Sequence, residues 1–361
     1  MSRNETNFMT EPALPIASRD VALTFARYRK NGYLHLLLVS SYGPKTVTGT
    51  DLTEGSGDVI DDPVSVFGTY GYEGILALVP KRHEVTVPLQ SLDMPVALRT
   101  SHIAVGTNFP EHAEESEVTD GPFLFPKEVT PTPFNASISA GDGLLDYEAE
   151  LCFVTLDNFS LDAPSDHVGL VLCNDVTDRA KLLRHVDPRN ITSGKGFTTG
   201  KSAPGYLPIG TLFVIPKDVR SFAGKVKLQL WRNGTLKQSA PQSDAIWDFD
   251  ALLRETKLCK DLSWDYEGRT VSLPVLVNHI PARTGLLAGT PNGTVWQGLA
   301  KSALIGGIWD WLAGGWSRPV THWIVERQIA RDKHLGQYLQ PGDIVSIRVD
   351  GLGELRNAIV A

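Results

Sequence analysis

Cysteine is scarce in this chain of 361 residues: Cys152, Cys173 and Cys259 are the three present. An odd number without C-x-x-C spacing argues against a disulfide framework and for a reducing interior. Positive charge is not in excess either, since Lys plus Arg is 34 against 41 Asp plus Glu, a net of 34 − 41 = −7. That balance makes nucleic acid a poor partner, because phosphate binding needs a basic field. No apolar run reaches the roughly 18–20 residues of a membrane span. The opening MSRNETNFMTEPALPIASRD has no apolar core and does not read as a signal peptide. G-x-S-x-G, H-E-x-x-H and paired C-x-x-C motifs are all missing, so serine-hydrolase and zinc-enzyme readings lack support. A soluble, cytoplasmic protein without a membrane or nucleic-acid partner is the expectation.

Glycine (33) and proline (23) are plentiful, which favours strands and loops over a helical bundle. From Asp20 to about Ala97, short apolar runs (VALTFARY, YLHLLLVSS, EGILALV, EVTVPL) alternate with breaks such as GTDLTEGSGD. This predicts a small β-rich N-terminal domain, 1–97, with its first ~17 residues flexible. A second domain, 98–361, opens with the strand-like SHIAVGTNF and an acidic stretch fitting a short helix or lid. It continues with strands such as LLDYEAELCFVTL and HVGLVLCNDVT. One helix, SDAIWDFDALLRET, has Ser243 or Asp244 as its cap. Five of the eight tryptophans (Trp296, Trp309, Trp311, Trp316, Trp323) fall within 28 positions. That segment is too short and Gly-broken to span a bilayer, and suits packing on a core, a dimer partner or a pocket mouth.

Three constellations could carry chemistry. Glu148 and Glu150, two apart on a strand, share one face. Side-by-side carboxylates repel unless a cation neutralises them, and a hard divalent ion does so. Asp175, ending an apolar strand 27 residues after Glu148, supplies a third carboxylate. His112 and Glu115, three apart on a helix, can touch, and a carboxylate beside an imidazole makes a general base for water. Solvated acidic surfaces are the plain alternative for both sets. The run SGKGFTTGKS imitates a phosphate loop, but Lys195 stands where the first glycine is required. What survives there is Lys201, a cation in a glycine-rich loop.

Taken in order, these pieces resemble the fumarylacetoacetate hydrolase family from about Pro88 to Val360, with two interruptions. VGTNFPEHAEE is similar to the family's G-x-N-Y-x-x-H-x-x-E segment, GPFLFPK to its P-x-x-F-x-K stretch, and DYEAEL to D-Y-E-x-E-L. CNDVTDR resembles NDVSAR, and GKSAPGYLPIG resembles K-S-F-D-x-x-x-P-x-G. AGTPNGT resembles TGTPxG, and LQPGDIVSIRVDGLGELRN the family's closing strands. Asp178 and Ala180 depart from the usual A-R-D triplet, Leu182 stands where many members have Gln, and Lys201 is followed by Ser-Ala-Pro-Gly. Insertions fall at about 298–335, the Trp-rich stretch, and near 258–273.

The resemblance implies a mainly β, α+β fold of the mixed β-roll or sandwich type. It implies Glu148, Glu150 and Asp175 as ligands of Mg²⁺ (or Mn²⁺ or Ca²⁺). His112 and Glu115 would be a water-activating lid dyad and Lys201 the active-site cation. Arg179, Thr290 and, more remotely, Lys127 would face the substrate. The implied activity is metal-dependent hydrolysis of a C–C bond in a 1,3-dicarbonyl or acylpyruvate, cyclic or with a bulky apolar arm, by a homodimer. The same site could instead serve a hydratase, decarboxylase or keto–enol isomerase of a 2-oxo acid, or a non-catalytic binding relative. The Trp-rich insertion is expected either to border the pocket or to pack a dimer.

Overall fold

The computed structural model describes residues 12–55, 60–118 and 120–361. Residues 1–11 of the segment expected to be flexible, and 56–58 of the GTDLTEGSGD break, lie outside the described residues. The protein is built on one long mixed sheet. Its strands run in the spatial order Glu84–Pro88, Thr46–Asp51, Tyr33–Tyr42, Ala22–Lys30, Ile209–Pro216, Val168–Asn174, Ala149–Thr155, Gly285–Leu287, Ser101–Gly106 and Phe123–Glu128. Neighbours pair antiparallel except Gly285–Leu287 with Ser101–Gly106. The central strands are buried throughout, which is why they read as near-continuous apolar runs. A second sheet, ordered Thr235–Pro241, Lys227–Arg232, Ile344–Val349, Gly353–Val360 and Ile138–Ser139, lies beside it. The Glu354 amide donates to Thr211 Oγ1 at 3.2 Å where the two sheets meet. This is the sheet-rich α+β architecture expected.

The N-terminal strands continue the main sheet, because Ala22–Lys30 pairs with Ile209–Pro216 over Ala22↔Pro216 to Phe25↔Phe213. Within this part the run containing EGILALV is not a strand. It belongs to a helix, Pro63–Leu78, kinked at Gly71. Asp62 accepts from the Val64 and Ser65 amides, and Pro63 fills the first turn where no N–H is needed. The helix expected from Ser243 begins later, at Phe249, and is capped by Asp248. Asn108 explains the delay: its carbonyl accepts from Ile246 N, and its side-chain Oδ1 accepts from Trp247 N at 2.7 Å, holding these residues out of the helix.

Both insertions are hairpins. Ser263–Tyr266 pairs with Arg269–Ser272, and its Tyr266 hydroxyl donates to the Ser202 carbonyl at 2.5 Å. The Trp-rich stretch folds as two antiparallel helices, Lys301–Leu312 and Val320–Leu335. Contrary to the expectation from their number and spacing, Cys152 and Cys173 pair as a disulfide across neighbouring strands, with Cα atoms 6.4 Å apart. Cys259 is free and half-buried.

Candidate active site

The acidic centre follows from strand register. Ala149 pairs with Asn174 and Glu150 with Cys173, so Glu148 and Asp175 stand across from each other just beyond the ladder. The Asp175 amide donates to the Glu148 carbonyl at 2.9 Å, and Asn174 Oδ1 accepts from the Glu148 amide at 3.1 Å. Glu150, two residues on, shares the face of Glu148. One oxygen from each of Glu148, Glu150 and Asp175 lies within 4.8 Å of the others, and all three are buried.

Cations enclose this trio. Lys201 Nζ lies 2.6 Å from Glu148 Oε2 and 2.8 Å from Asp175 Oδ2. Arg179 donates through Nη2 to Glu148 at 2.7 Å and through Nε to Asp146 at 3.0 Å. Burial alone would raise the Glu148 carboxyl, but Lys201 and Arg179 outweigh it and hold it at about 2. Burial likewise disfavours charge on Lys201, yet Asp175 and Glu148 push it above its ordinary value. Among the described residues, Glu150 has no such partner beyond the Gly289 amide, at 2.8 Å. Its burial, with Asp175 and Glu148 nearby, pushes it well above the usual carboxylate range. Gly289 makes that contact at φ +84°, and a Cβ there would lie 2.8 Å from Asn108 Cβ.

The residues present fit a divalent ion. Four buried carboxylates (Asp146, Glu148, Glu150, Asp175) face three buried cations (Lys127, Arg179, Lys201). With every group ionised the centre carries one excess negative charge, 4 − 3 = 1, on side chains that are all buried. Hard oxygen donors of this kind suit Mg²⁺, Mn²⁺ or Ca²⁺, and a divalent ion would satisfy Glu150.

A cavity of about 90 Å³ opens beside the centre. His112, Glu148, Arg179, Lys201 and Thr290 line its polar end. The lid helix Pro110–Glu115 places His112 Nδ1 3.3 Å from Glu115 Oε2. Glu115 also accepts from the Gly293 amide at 3.2 Å, the Thr294 hydroxyl at 3.4 Å and Gln297 Nε2 at 2.5 Å. Burial would raise its carboxyl, but the His112 and Gln297 hydrogen bonds and the Gly293 amide hold it below the ordinary value. The lid is thus docked on the turn that follows Thr290.

Lys127, like Glu150 and Asp175, is absent from the cavity wall, its ammonium 2.5 Å from Asp175 Oδ1 and bonded to the Lys201 carbonyl. The helical hairpin at 301–335 contributes no residue to the cavity, whose tryptophan is Trp296. Sequence reasoning also missed two organisers. Asp146 holds Arg179 and accepts from the Val295 and Trp296 amides at 2.9 and 3.1 Å. Gln238 accepts from Ala149 N at 3.0 Å and donates to Thr290 Oγ1 at 2.9 Å, joining the carboxylate strand to the opposite turn. Asp146 sits inside DYEAEL and carried a signal, whereas Gln238 carried none.

A sheet-rich scaffold with a buried carboxylate trio, a lysine and a His–Glu lid defines a class of metal-assisted enzymes. The model of the fumarylacetoacetate (FAA) hydrolase C-terminal domain matches residues 101–360, and the chain belongs to that family. Over 163 residues it is 29% identical to the oxaloacetate tautomerase YisK of Bacillus subtilis (strain 168). That match covers 42% of this chain and 51% of the relative, so the chain spans about half the length of that curated protein. Among solved structures, a fumarylacetoacetate hydrolase from Exiguobacterium antarcticum shares the fold at TM-score 0.58 and 20% identity, covering 94% of this chain and 99% of that one. A 5-carboxymethyl-2-hydroxymuconate delta-isomerase from Mycobacterium smegmatis shares it at TM-score 0.53 and 17% identity, with the same coverage.

Proposed function

We propose that this protein is a divalent-metal-dependent hydrolase that cleaves a C–C bond in a small acylpyruvate-type 1,3-dicarbonyl acid. The observation that carries the reading is the shared cavity: Glu148 and Lys201 line it with His112, whose imidazole Glu115 orients. Glu148, Glu150 and Asp175 would hold Mg²⁺, Mn²⁺ or Ca²⁺, which when bound supplies Lewis-acid polarisation of the substrate carbonyls. His112 takes a proton from water, and the Glu115 carboxylate stabilises the resulting imidazolium. The water oxygen bonds to the distal carbonyl carbon, and the C–C bond to the central carbon breaks. Its electron pair passes into the enolate of the 2-oxo acid product, whose charge Lys201 faces. Arg179 holds Glu148 in position, and Thr290, fixed by Gln238, offers a hydroxyl to the substrate.

The second reading is a keto–enol isomerase of a 2-oxo acid, favoured by the likeness to the oxaloacetate tautomerase. There His112 would move a proton between carbon and solvent, with no water added. Turnover of acylpyruvates and cyclic 1,3-diketones in H₂¹⁸O with Mg²⁺ or Mn²⁺ separates the two. Hydrolysis puts the label into a new carboxylate, whereas isomerisation leaves every carbon skeleton intact. Glu148→Ala and Asp175→Ala should abolish metal-dependent turnover while the fold survives, and full activity of either in chelator would refute the metal role. We take the enzyme to be a cytoplasmic homodimer. Among the described residues, no helix is long and apolar enough to cross a membrane.

A further inference from the structure

We propose that the site selects 2-oxo acids with a short apolar arm and rejects those whose arm carries a second carboxylate. This rests on the metal-dependent reading above and names the substrate class of that same cavity. Two short helices create the selectivity. On Arg179–His185, Arg179 points to the carboxylate centre while Leu182 and Leu183, three and four residues on, face the cavity from the same side. On Phe197–Lys201, Lys201 meets Glu148 and Asp175, and Phe197, four residues back, lines the cavity. Each helix therefore offers a cation at one end of the cavity and hydrocarbon at the other. Gly200 lets the two approach, since a Cβ there would lie 2.6 Å from Leu182 Cβ. Val186 and Ile191 extend the apolar wall.

Among the described residues, no cation on that wall is available to a second carboxylate. The cavity is lined by one lysine and one arginine, Lys201 and Arg179, both engaged with Glu148 and its neighbours. His112 Nδ1 is taken by Glu115. A carboxylate beside Leu182, Ile191 and Phe197 would lose its hydration with nothing in exchange. The cavity of about 90 Å³ limits the arm to a few carbons. Val105, Val118 and Trp296 complete the apolar lining, to which the tryptophan hairpin adds nothing.

Calorimetric titration of the Mg²⁺-loaded protein with unreactive 2-oxo acid mimics tests this. Oxalate, which has no arm, reports on the metal centre alone. N-propyloxamate and N-(carboxymethyl)oxamate then differ in the charge of an arm of similar length. The expected result is Mg²⁺-dependent oxalate binding, with N-propyloxamate at least tenfold tighter than N-(carboxymethyl)oxamate. Ile191→Arg, at a half-buried position, should reduce that preference to less than threefold, and Leu182→Arg should do the same. Oxalate binding together with equal or tighter binding of the carboxymethyl compound by the wild type would overturn the selectivity and leave the metal reading standing. Failure of oxalate to bind would overturn both.

Discussion

The Lys127 ammonium lies 2.5 Å from Asp175 Oδ1, and neither side chain is more than 1% exposed. This lysine supports a carboxylate of the acidic trio. Burial pulls its ammonium below the ordinary value, with Asp175 opposing. Removing one member of a buried ion pair costs about 3–5 kcal/mol, because the other is left uncompensated. Lys127→Met should lose about that much stability without metal. It should also gain a larger Tm increase from Mg²⁺ than the wild type, since the ion then supplies the missing charge. Equal Mg²⁺-induced shifts in both proteins would show that Lys127 lies outside the electrostatics of the centre.

Glu115 ties the helix Pro110–Glu115 to the turn that follows Thr290. Its carboxylate collects the His112 ring, the Gly293 amide and Gln297. Glu115→Gln keeps the shape but removes the anion that stabilises imidazolium. The expected result is a kcat/KM lower by about 10²–10⁴-fold, the usual share of general base catalysis. Amide exchange at 109–118 should accelerate as the lid loosens. A variant within threefold of wild-type activity would exclude the dyad from the chemistry.

His102 provides a pH test away from the carboxylates. It is fully buried, accepts from the Gly285 amide at 3.1 Å, and sits beside Lys127. Burial, with Lys127 adding, pulls its pKa from 6.5 down to about 4. The unfolded chain then binds a proton at higher pH than the folded one. Stability from this group is complete above about pH 6.5 and falls as pH drops towards 4, by at most about 3 kcal/mol. His102→Gln should flatten that part of the curve. Urea unfolding of both proteins at pH 7 and 4.5 measures it, and identical pH slopes would contradict the buried neutral imidazole.

Most of the acidic centre was legible because its spacing is local. Glu148 and Glu150 follow from the two-residue strand period, His112 and Glu115 from one helical turn, and Asp175 from the polar end of an apolar strand. Gln238 was not legible, since it acts on Ala149 and Thr290 from 89 and 52 residues away through one amide. The helix at Pro63 was legible in principle from Asp62-Pro63, but glycines at 68, 71 and 74 obscured its period. The Cys152–Cys173 pair depends on the register of two strands, which spacing does not encode. The helices of the Trp-rich insertion were hidden by the glycines at 306, 307, 314 and 315, which read as breaks.

Those glycines are what let the two helices pack. A Cβ on Gly307 would lie 2.5 Å from the Ile324 backbone, so the helices meet there at close range. Arg327 and Asp310 pair across them, Trp323 Nε1 donates to the Gly315 carbonyl at 2.8 Å, and Arg184 ties the second helix to the catalytic body through Glu326. Trp309 and Trp316 play no part in this and are 65% and 71% exposed. The hairpin also adds nothing to the cavity wall, so catalysis should be indifferent to its outer face. Trp309→Ser with Trp316→Ser should keep kcat/KM within about twofold, because surface changes away from packed features shift stability by at most about 0.5 kcal/mol. Gly307→Leu should cost about 1–3 kcal/mol by forcing the helices apart. A tenfold loss of kcat/KM in the double tryptophan variant, with unchanged Tm, would return the hairpin to the pocket mouth.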